Sequence, residues 1–177
     1  MDKDLKKIIK NFSSSVLYIG NDDEISKYLE KNENITSLDV LSNKKSTGKA
    51  KRKIFKKNKT VNINKLRKKY KNKSIDYIIC DYNIILPYIR KFIKSSVFIS
   101  KNKIYFYGDV DLSIINKYKR YNCNINIINN KKNKIIEIDN INFKTNIFKN
   151  ILYLIYDIAD FFVYSVELIG DILMGWM

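Results

Sequence analysis

Short apolar runs with the length of strands alternate with helical patterns along most of this chain, and this alternation restricts the fold more than any other feature. The runs predict seven strands, at 16–19, 35–40, 60–63, 75–81, 103–107, 124–128 and 134–138. Helical spacing of apolar residues predicts helices at 3–12, 64–72, 84–94 and 109–121, and one more directly after Gly20. Strands that alternate with helices form a mostly parallel, doubly wound sheet. The last two strands are separated only by the polar segment 129–133, which predicts a closing antiparallel hairpin.

The residue types present limit both the size and the chemistry of the fold. The 177 residues are enough for one domain with a full core, and 45% of them are hydrophobic. The chain has no His, which excludes a His-based zinc site and a Ser-His-Asp triad. The two cysteines, Cys80 and Cys123, are far apart in sequence and no secretory signal opens the chain, so we expect a cytoplasmic protein.

The net charge of +16 comes mainly from lysine, with 30 Lys against four Arg. An excess of Lys, Asn, Ile and Tyr is typical of an AT-rich genome, so the net charge by itself does not indicate a partner. Residues 44–59, however, contain nine Lys or Arg and no acidic residue, which predicts a solvated basic insert after the second strand. Two interpretations of this insert remain open: contact with nucleic acid or another anionic surface, or base composition alone.

Residues 146–177 predict one long amphipathic helix that follows the α/β domain. Its four acidic residues form a narrow stripe opposite a broad apolar side: Asp157, Asp160, Glu167 and Asp171. These acids exclude a transmembrane span, because each would be costly in a bilayer. We therefore expect an α/β domain at 1–140 and a helix at 141–177 that packs on the domain, on a second copy in a homo-oligomer, or on another partner. A role at a membrane surface is the second possibility, although the polar side of such a helix usually carries Lys or Arg.

A glycine and a carboxylate follow the first two apolar runs at the spacing of a nucleotide-binding unit. Gly20 ends the run 16–19, and Asp39 ends the next run about 20 residues later. A glycine at such a turn lets the backbone approach a ligand, and an acid ending the second strand accepts hydrogen bonds from ribose hydroxyls. Each residue also has an ordinary structural interpretation, a tight turn for Gly20 and a solvated strand-end carboxylate for Asp39.

Two segments carry a resemblance to a known family. Val16-Leu17-Tyr18-Ile19-Gly20 is similar to the first motif, and Ser74-Ile75-Asp76-Tyr77-Ile78-Ile79-Cys80-Asp81 to the fourth motif, of class I S-adenosylmethionine-dependent methyltransferases. The resemblance covers residues 14–140 and implies a Rossmann-like sheet whose seventh strand inserts antiparallel beside the fifth. It implies S-adenosylmethionine as cofactor, bound by Gly20, Asp22, Asp39 and Tyr82. It also implies a catalytic role for Asp81 and Asn83, which would hold the methyl acceptor and take its proton.

The sequence departs from this family at the first motif. Tyr18 replaces the motif's acid, and Asp22 and Glu24 stand where two further glycines are expected. Two functions therefore remain open. One is a methyltransferase-like enzyme with an open cleft beside Gly20 and Asp39. The other is a non-enzymatic binding or scaffold protein of the same fold, in which the side chains of Asp22 and Glu24 fill that cleft.

A receiver-like domain is the nearest rival fold. Asp22, Asp23 and Asp81 would then bind Mg²⁺ and accept a phosphoryl group. The basic insert stretches the spacing between these acids, Pro87 lies too far from Asp81, and a final hairpin is not expected in that fold. The sequence therefore favours the methyltransferase-like arrangement.

Overall fold

A computed structural model describes the chain in the ranges 1–42, 57–58, 65–129 and 134–139, together with Ile155 and Ile158. The chain divides into two compact units, Met1–Phe143 and Lys144–Met177. The first unit contains every element described below. Ile155 and Ile158 belong to the second unit; both are helical, and 53% and 49% of their surfaces are exposed. The rest of the predicted helix over 146–177 lies outside the described residues, as does the basic insert over 44–59 apart from 57–58.

One sheet holds the strands of the described residues. They are β1 (Ser14–Ile19), β2 (Ile35–Leu41), β3 (Lys57–Asn58), β4 (Ile75–Asp81), β5 (Ser100–Gly108), β6 (Asn124–Asn129) and β7 (Lys134–Asp139). Their order across the sheet is β3-β2-β1-β4-β5-β7-β6. The first five strands are parallel, and β7 runs antiparallel to both β5 and β6. The predicted parallel sheet and closing hairpin are confirmed, and the all-parallel sheet of a receiver-like domain is excluded.

Six α-helices of the described residues connect or precede the strands. They are α1 (Lys3–Lys10), α2 (Asp23–Lys31), α3 (Leu66–Lys69), α4 (Tyr82–Ile85), α5 (Ile89–Ile99) and α6 (Leu112–Ile115). Two 3₁₀ segments, Leu86–Tyr88 and Asn116–Tyr121, follow α4 and α6.

The helix predicted at 84–94 differs from the observed one at its start and in its continuity. It begins at Tyr82, because the side chain of Asp81 rather than Asn83 caps it by accepting a hydrogen bond from the Asn83 N–H. Pro87 lies in the 3₁₀ segment between α4 and α5. A proline has no N–H for the helical ladder, which explains why two helices replace the single predicted one.

Two strand predictions also change. The third strand is Lys57–Asn58, inside the predicted basic insert, whereas the strand predicted at 60–63 lies outside the described residues. The second strand is Ile35–Leu41, one residue longer than the predicted 35–40, so Asp39 lies inside the strand and not at its end.

The sheet is covered on both faces. On one face α1 and α2 pack their buried side chains, such as Leu5 and Leu29, against a row that includes Tyr18. On the other face α3, α5 and α6 cover a cluster that includes Phe92 and Phe106. β4 lies in the middle, and its consecutive apolar residues Ile78, Ile79 and Cys80 are fully buried, as expected for a strand covered on both faces.

Two further findings concern membrane-spanning helices and disulfides. None of the helices in the described ranges is long and apolar enough to cross a membrane. Neither Cys80 nor Cys123 forms a disulfide within the described residues, and both are buried.

Candidate functional site

The carboxyl ends of β1 and β4 form the switch point of this sheet. The two strands are parallel neighbours with Ile19 opposite Cys80, so Gly20 and Asp81 leave the sheet at the same edge. β1 leads into α2 on one face, and β4 leads into α4 and α5 on the other. Ligands of open α/β sheets bind where successive connections turn to opposite faces in this way. The edge between β1 and β4 is therefore the place where the fold positions a binding site.

At the end of β1, a tyrosine side chain fills the space beside the glycine turn. The side chain of Tyr18 is buried, with 1% of the residue exposed. A Cβ atom on Gly20 would lie 2.6 Å from Cε2 of Tyr18, and closer still to Cζ and the hydroxyl oxygen. Gly20 is therefore required by the packing of Tyr18 against its own turn. This supports the tight-turn interpretation of Gly20, while a contact between Gly20 and a ligand stays a prediction.

The Tyr18 hydroxyl links three parts of the site. It accepts a hydrogen bond from the Asp22 N–H at 3.0 Å and donates to the Asp22 carbonyl oxygen at 3.3 Å. It also lies 3.0 Å from the hydroxyl of Tyr107 on β5, which acts as the donor since the Tyr18 proton is already used. Burial raises the pKa of Tyr18 to about 12, although the hydrogen bond from Tyr107 opposes this shift. Tyr18 is therefore a neutral hydroxyl that ties β1 to β5 and to the start of α2.

Two aspartates cap helices at this edge with the same geometry. Asp22 accepts hydrogen bonds from the N–H groups of Glu24 and Ile25 at the start of α2, at 2.8 and 3.2 Å. Asp81 accepts one from the Asn83 N–H at 3.0 Å at the start of α4. Burial raises the pKa of Asp81, and the negative charge of Asp22 raises it further. The carboxylates of Asp22 and Asp81 therefore give this edge a negative electrostatic potential.

The predicted catalytic residues are brought together beside β5. A Cβ atom on Gly108, the last residue of β5, would lie 3.6 Å from Nδ2 of Asn83 and 3.7 Å from Oδ1 of Asp81. Gly108 has a φ of +112°, a backbone conformation that side-chain-bearing residues rarely adopt. Asp81 and Asn83 thus present their polar groups at one place, against a bare stretch of backbone.

Asp39 lies away from this edge. It sits opposite Leu17 within β2, and its carboxylate accepts a hydrogen bond from the Tyr70 hydroxyl at 2.7 Å. The Lys69 ammonium is 3.4 Å from the same oxygen. The residue that follows β2 at the edge is Ser42, whose hydroxyl donates to Oδ1 of Asn21 at 2.8 Å. The ribose contact predicted for Asp39 stays a prediction, and Ser42 with Asn21 lies where the strand actually ends.

Tyr82 is a predicted site residue whose side chain is buried. Its ring packs edge-on against Phe106, and 2% of the residue is exposed. Its hydroxyl is buried and has no hydrogen-bond partner among the described residues. The side chain belongs to the core cluster beneath α4 and α5. Its role in cofactor binding stays a prediction.

The side chains of Asp22 and Glu24 are both held at the start of α2. Asp22 caps the helix, and Glu24 is exposed and pairs with the N-terminal ammonium of Met1. The side chain that fills the space at the turn is instead Tyr18. The sequence indicated this only by placing a tyrosine at the motif's acidic position. Its partner Tyr107 carries no local signal, because their contact depends on strand register.

Comparison with known proteins found similarity to solved structures. No family model matches the chain, and no curated protein matches its sequence. Among solved structures, the chain is similar to TrmK of M. capricolum, solved in complex with its natural cofactor product S-adenosyl-homocysteine. The TM-score is 0.53 at 13% identity, over 83% of this chain and 72% of TrmK. At this identity the likeness shows the fold alone, and it supports a Rossmann-like sheet for this chain.

Proposed function

We propose that this chain is an S-adenosylmethionine-dependent methyltransferase-like protein whose cofactor binds at the carboxyl edge between β1 and β4. The observation that carries the proposal is the grouping of Asp81 and Asn83 beside Gly108, with Asp22 across the same edge. The fold is the one found in TrmK with S-adenosyl-homocysteine, which supports this choice of cofactor.

The charges at this edge fit the cofactor's cationic end. S-adenosylmethionine carries a sulfonium and an ammonium group, and the Asp22 and Asp81 carboxylates attract both. The Ser42 hydroxyl and Asn21 amide at the end of β2 are suited to hydrogen bonds with a ribose. Asp39 is instead held by Tyr70 and Lys69, so a ribose contact there requires that those interactions be broken.

When bound, the cofactor would supply an electrophilic methyl group. The protein's part is mainly to position the acceptor, since alignment provides most of the rate in a direct displacement. The Asn83 amide is suited to orient a nitrogen or oxygen acceptor by hydrogen bonding. Asp81 is suited to take the acceptor's proton, because its raised pKa makes it a better base than an ordinary surface carboxylate.

Isothermal titration calorimetry with S-adenosylmethionine and S-adenosyl-homocysteine tests the proposal. We expect the full chain to bind one of them with a Kd below about 100 µM, which corresponds to about 5.5 kcal/mol. Asp81→Asn keeps the helix cap but removes the charge, so we expect it to weaken S-adenosylmethionine binding at least tenfold.

Asp111→Asn is the matched control. Asp111 caps α6 after β5 and accepts a hydrogen bond from the Ser113 N–H at 2.8 Å, as Asp81 does from Asn83. The control variant should bind the cofactor as the wild type does. Absence of binding heat in the wild type, or equal loss in both variants, would contradict the proposal.

A second candidate is a non-enzymatic binding or scaffold protein of the same fold. Its support is Tyr18, whose buried ring occupies the space beside the Gly20 turn where a glycine-rich motif would leave room for a ligand. Residues 146–177, a second copy and the basic insert would then provide the association. Absence of cofactor binding, together with a concentration-dependent dimer in sedimentation equilibrium, would favour this candidate.

A further inference from the structure

The two helical layers of this sheet differ sharply in charge. On one face, residues 65–73, 82–99 and 112–121 form α3 to α6 and the 3₁₀ segments. These ranges contain six, three and three Lys or Arg, and no Asp or Glu. We call the twelve residues the basic layer: Lys65, Arg67, Lys68, Lys69, Lys71, Lys73, Arg90, Lys91, Lys94, Lys117, Lys119 and Arg120.

The opposite layer, which contains α1 and α2, is nearly neutral. Residues 3–11 and 23–33, counted like the basic layer from the first helical residue so that capping aspartates are left out of both layers, together contain five acidic and six basic residues. An AT-rich genome raises the lysine content of every segment, and it has no physical means of removing acids from one face of a sheet. The asymmetry therefore points to a property of the folded surface rather than to base composition.

The basic layer is one continuous surface. α3 packs on α5, with the Arg67 guanidinium 4.4 Å from the centre of the Phe98 ring. α5 in turn contacts the second 3₁₀ segment, where the hydroxyls of Ser96 and Tyr118 lie 2.7 Å apart. Nine of the twelve basic residues are exposed, and the other three are half-buried: Lys73, Lys94 and Lys117.

We propose that the basic layer binds the sugar-phosphate backbone of a nucleic acid. Three of the chain's four arginines lie in it, and a guanidinium matches a phosphate with two parallel hydrogen bonds. The described helices of this layer contain no acidic residue, so an extended chain of phosphates meets attraction along most of it. The exceptions are Lys69, which lies 3.4 Å from the Asp39 carboxylate, and the starts of α4 and α6, where Asp81 and Asp111 are the caps.

A membrane is a poorer fit for this surface. A helix that lies on a bilayer inserts its apolar side into the lipid. In the basic layer the apolar sides of the helices, including Leu66, Phe92 and Tyr118, are buried against the sheet. Outward, the layer presents its charged side chains together with Leu86 and Tyr88 of the first 3₁₀ segment, which are 43% and 46% exposed. Two apolar side chains are fewer than the apolar side of a bilayer-bound helix presents, so the surface suits a hydrated polyanion better.

The basic layer covers a face of the sheet, whereas the proposed cofactor site lies at the edge between β1 and β4. Nucleic-acid binding and cofactor binding can therefore be tested, and refuted, separately. The basic insert contributes none of the twelve residues of this layer, and its sequence stays unchanged in every variant below. A test on the full chain therefore separates the layer from both features.

Fluorescence anisotropy with labelled 20-base-pair duplexes of RNA and DNA of the same sequence tests the proposal, over 50 to 200 mM salt. Both probes display phosphodiester groups, whereas only RNA carries 2′-hydroxyls, so a preference for one probe identifies which nucleic acid is the partner. We expect the triple variant Lys68→Gln, Lys91→Gln, Lys119→Gln to weaken binding at least tenfold at 100 mM salt. The log–log slope of affinity against salt should become shallower by about 0.9 for each phosphate that the variant no longer neutralises.

The matched control removes the same charge from the opposite layer, by Lys3→Gln, Lys7→Gln and Lys27→Gln. All three lysines are exposed. We expect this variant to bind less than threefold more weakly than the wild type and to keep the salt slope. Equal weakening in the two triple variants would overturn the proposal, since only net charge would then matter.

A measurement on the unmodified chain makes the test independent of the folding of any variant. Lysine acetylation read by mass spectrometry should be slowed at Lys68, Lys91 and Lys119 by a bound duplex, and unaffected at Lys3 and Lys7. Absence of duplex binding tighter than about 10 µM at 150 mM salt would overturn the proposal. So would protection of these lysines by phosphatidylserine vesicles but not by either duplex.

Discussion

The hydroxyl oxygens of Tyr18 and Tyr107 lie 3.0 Å apart, although β4 separates the two strands that carry them. Tyr107 lies opposite Asp81, and Tyr18 lies beside Gly20, so the pair spans the candidate site. Burial raises the pKa of both phenols, which keeps the hydrogen bond neutral at physiological pH.

We expect Tyr18→Phe to lower the free energy of unfolding by about 1–3 kcal/mol, because it leaves the Asp22 N–H and the Tyr107 hydroxyl without their partner. Urea denaturation measures this. A double-mutant cycle with Tyr107→Phe should give a coupling of at least about 0.5 kcal/mol. Tyr28→Phe, on the partly exposed side of α2, is the control and should change stability by less than about 0.5 kcal/mol. Additive losses of stability for Tyr18 and Tyr107 would show that the two hydroxyls do not interact.

Gly20→Ala should destabilise the fold, because the new methyl group would overlap the Tyr18 ring. We expect a loss of about 1–3 kcal/mol, the usual cost of overpacking, measured by thermal or urea denaturation. In a Tyr18→Ala background the same substitution should cost clearly less, since the ring is gone. An equal cost in both backgrounds would mean that the backbone conformation, and not Tyr18, requires the glycine.

Asp81→Asn should make the protein more stable at pH 7. The pKa of Asp81 is raised, mainly by burial and also by Asp22, so the folded state holds this proton more tightly than the unfolded chain. The stability of the wild type therefore gains from this group as pH falls from the folded pKa towards the unfolded value of about 4. The amide imitates the protonated cap, so the variant's advantage should shrink over that interval. Urea midpoints between pH 4 and pH 7 measure the difference.

Asp111→Asn should show the opposite sign at pH 7. Hydrogen bonds from the Ser113 hydroxyl and N–H lower the pKa of Asp111, so its charge stabilises the fold above the unfolded pKa. That contribution is lost as pH falls through the folded pKa, and the deficit of the variant should vanish there. Urea midpoints over the same pH range measure it. The same sign for both variants at pH 7 would contradict the assigned environments of the two caps.

Tyr70→Phe should destabilise the fold more than Lys69→Gln does, although both side chains contact the Asp39 carboxylate. The tyrosine hydroxyl donates at 2.7 Å to a charged group, which is worth about 1.5–3 kcal/mol. The lysine is 3.4 Å away and remains partly exposed, so its ion pair is worth less than about 1 kcal/mol. Guanidinium denaturation of the two variants checks the order, and a reversed order would contradict a structural role for the Tyr70–Asp39 pair.

Local features of the sequence were sufficient for much of the fold. The alternation of strands and helices, the closing hairpin and the cap at Asp22 all depend on residues close together in the chain. The interrupted helix around Pro87 shows the limit of such local patterns. Apolar residues have helical spacing on both sides of Pro87. The backbone N–H that this proline lacks determines where the helical hydrogen bonds are interrupted.

The sequence by itself determined the class of the fold, because hydrophobic period and turn residues act over a few positions. Only the tertiary structure decided how the candidate site is built. The pairing register of the strands brings the hydroxyls of Tyr107 and Tyr18 within hydrogen-bond distance. Tertiary packing also places Asp39 next to Tyr70 and buries the Tyr82 ring against Phe106. The choice of face for each helix likewise separated the charges into a basic and a nearly neutral layer. These outcomes depend on which distant segments become neighbours, and no local pattern contains that information.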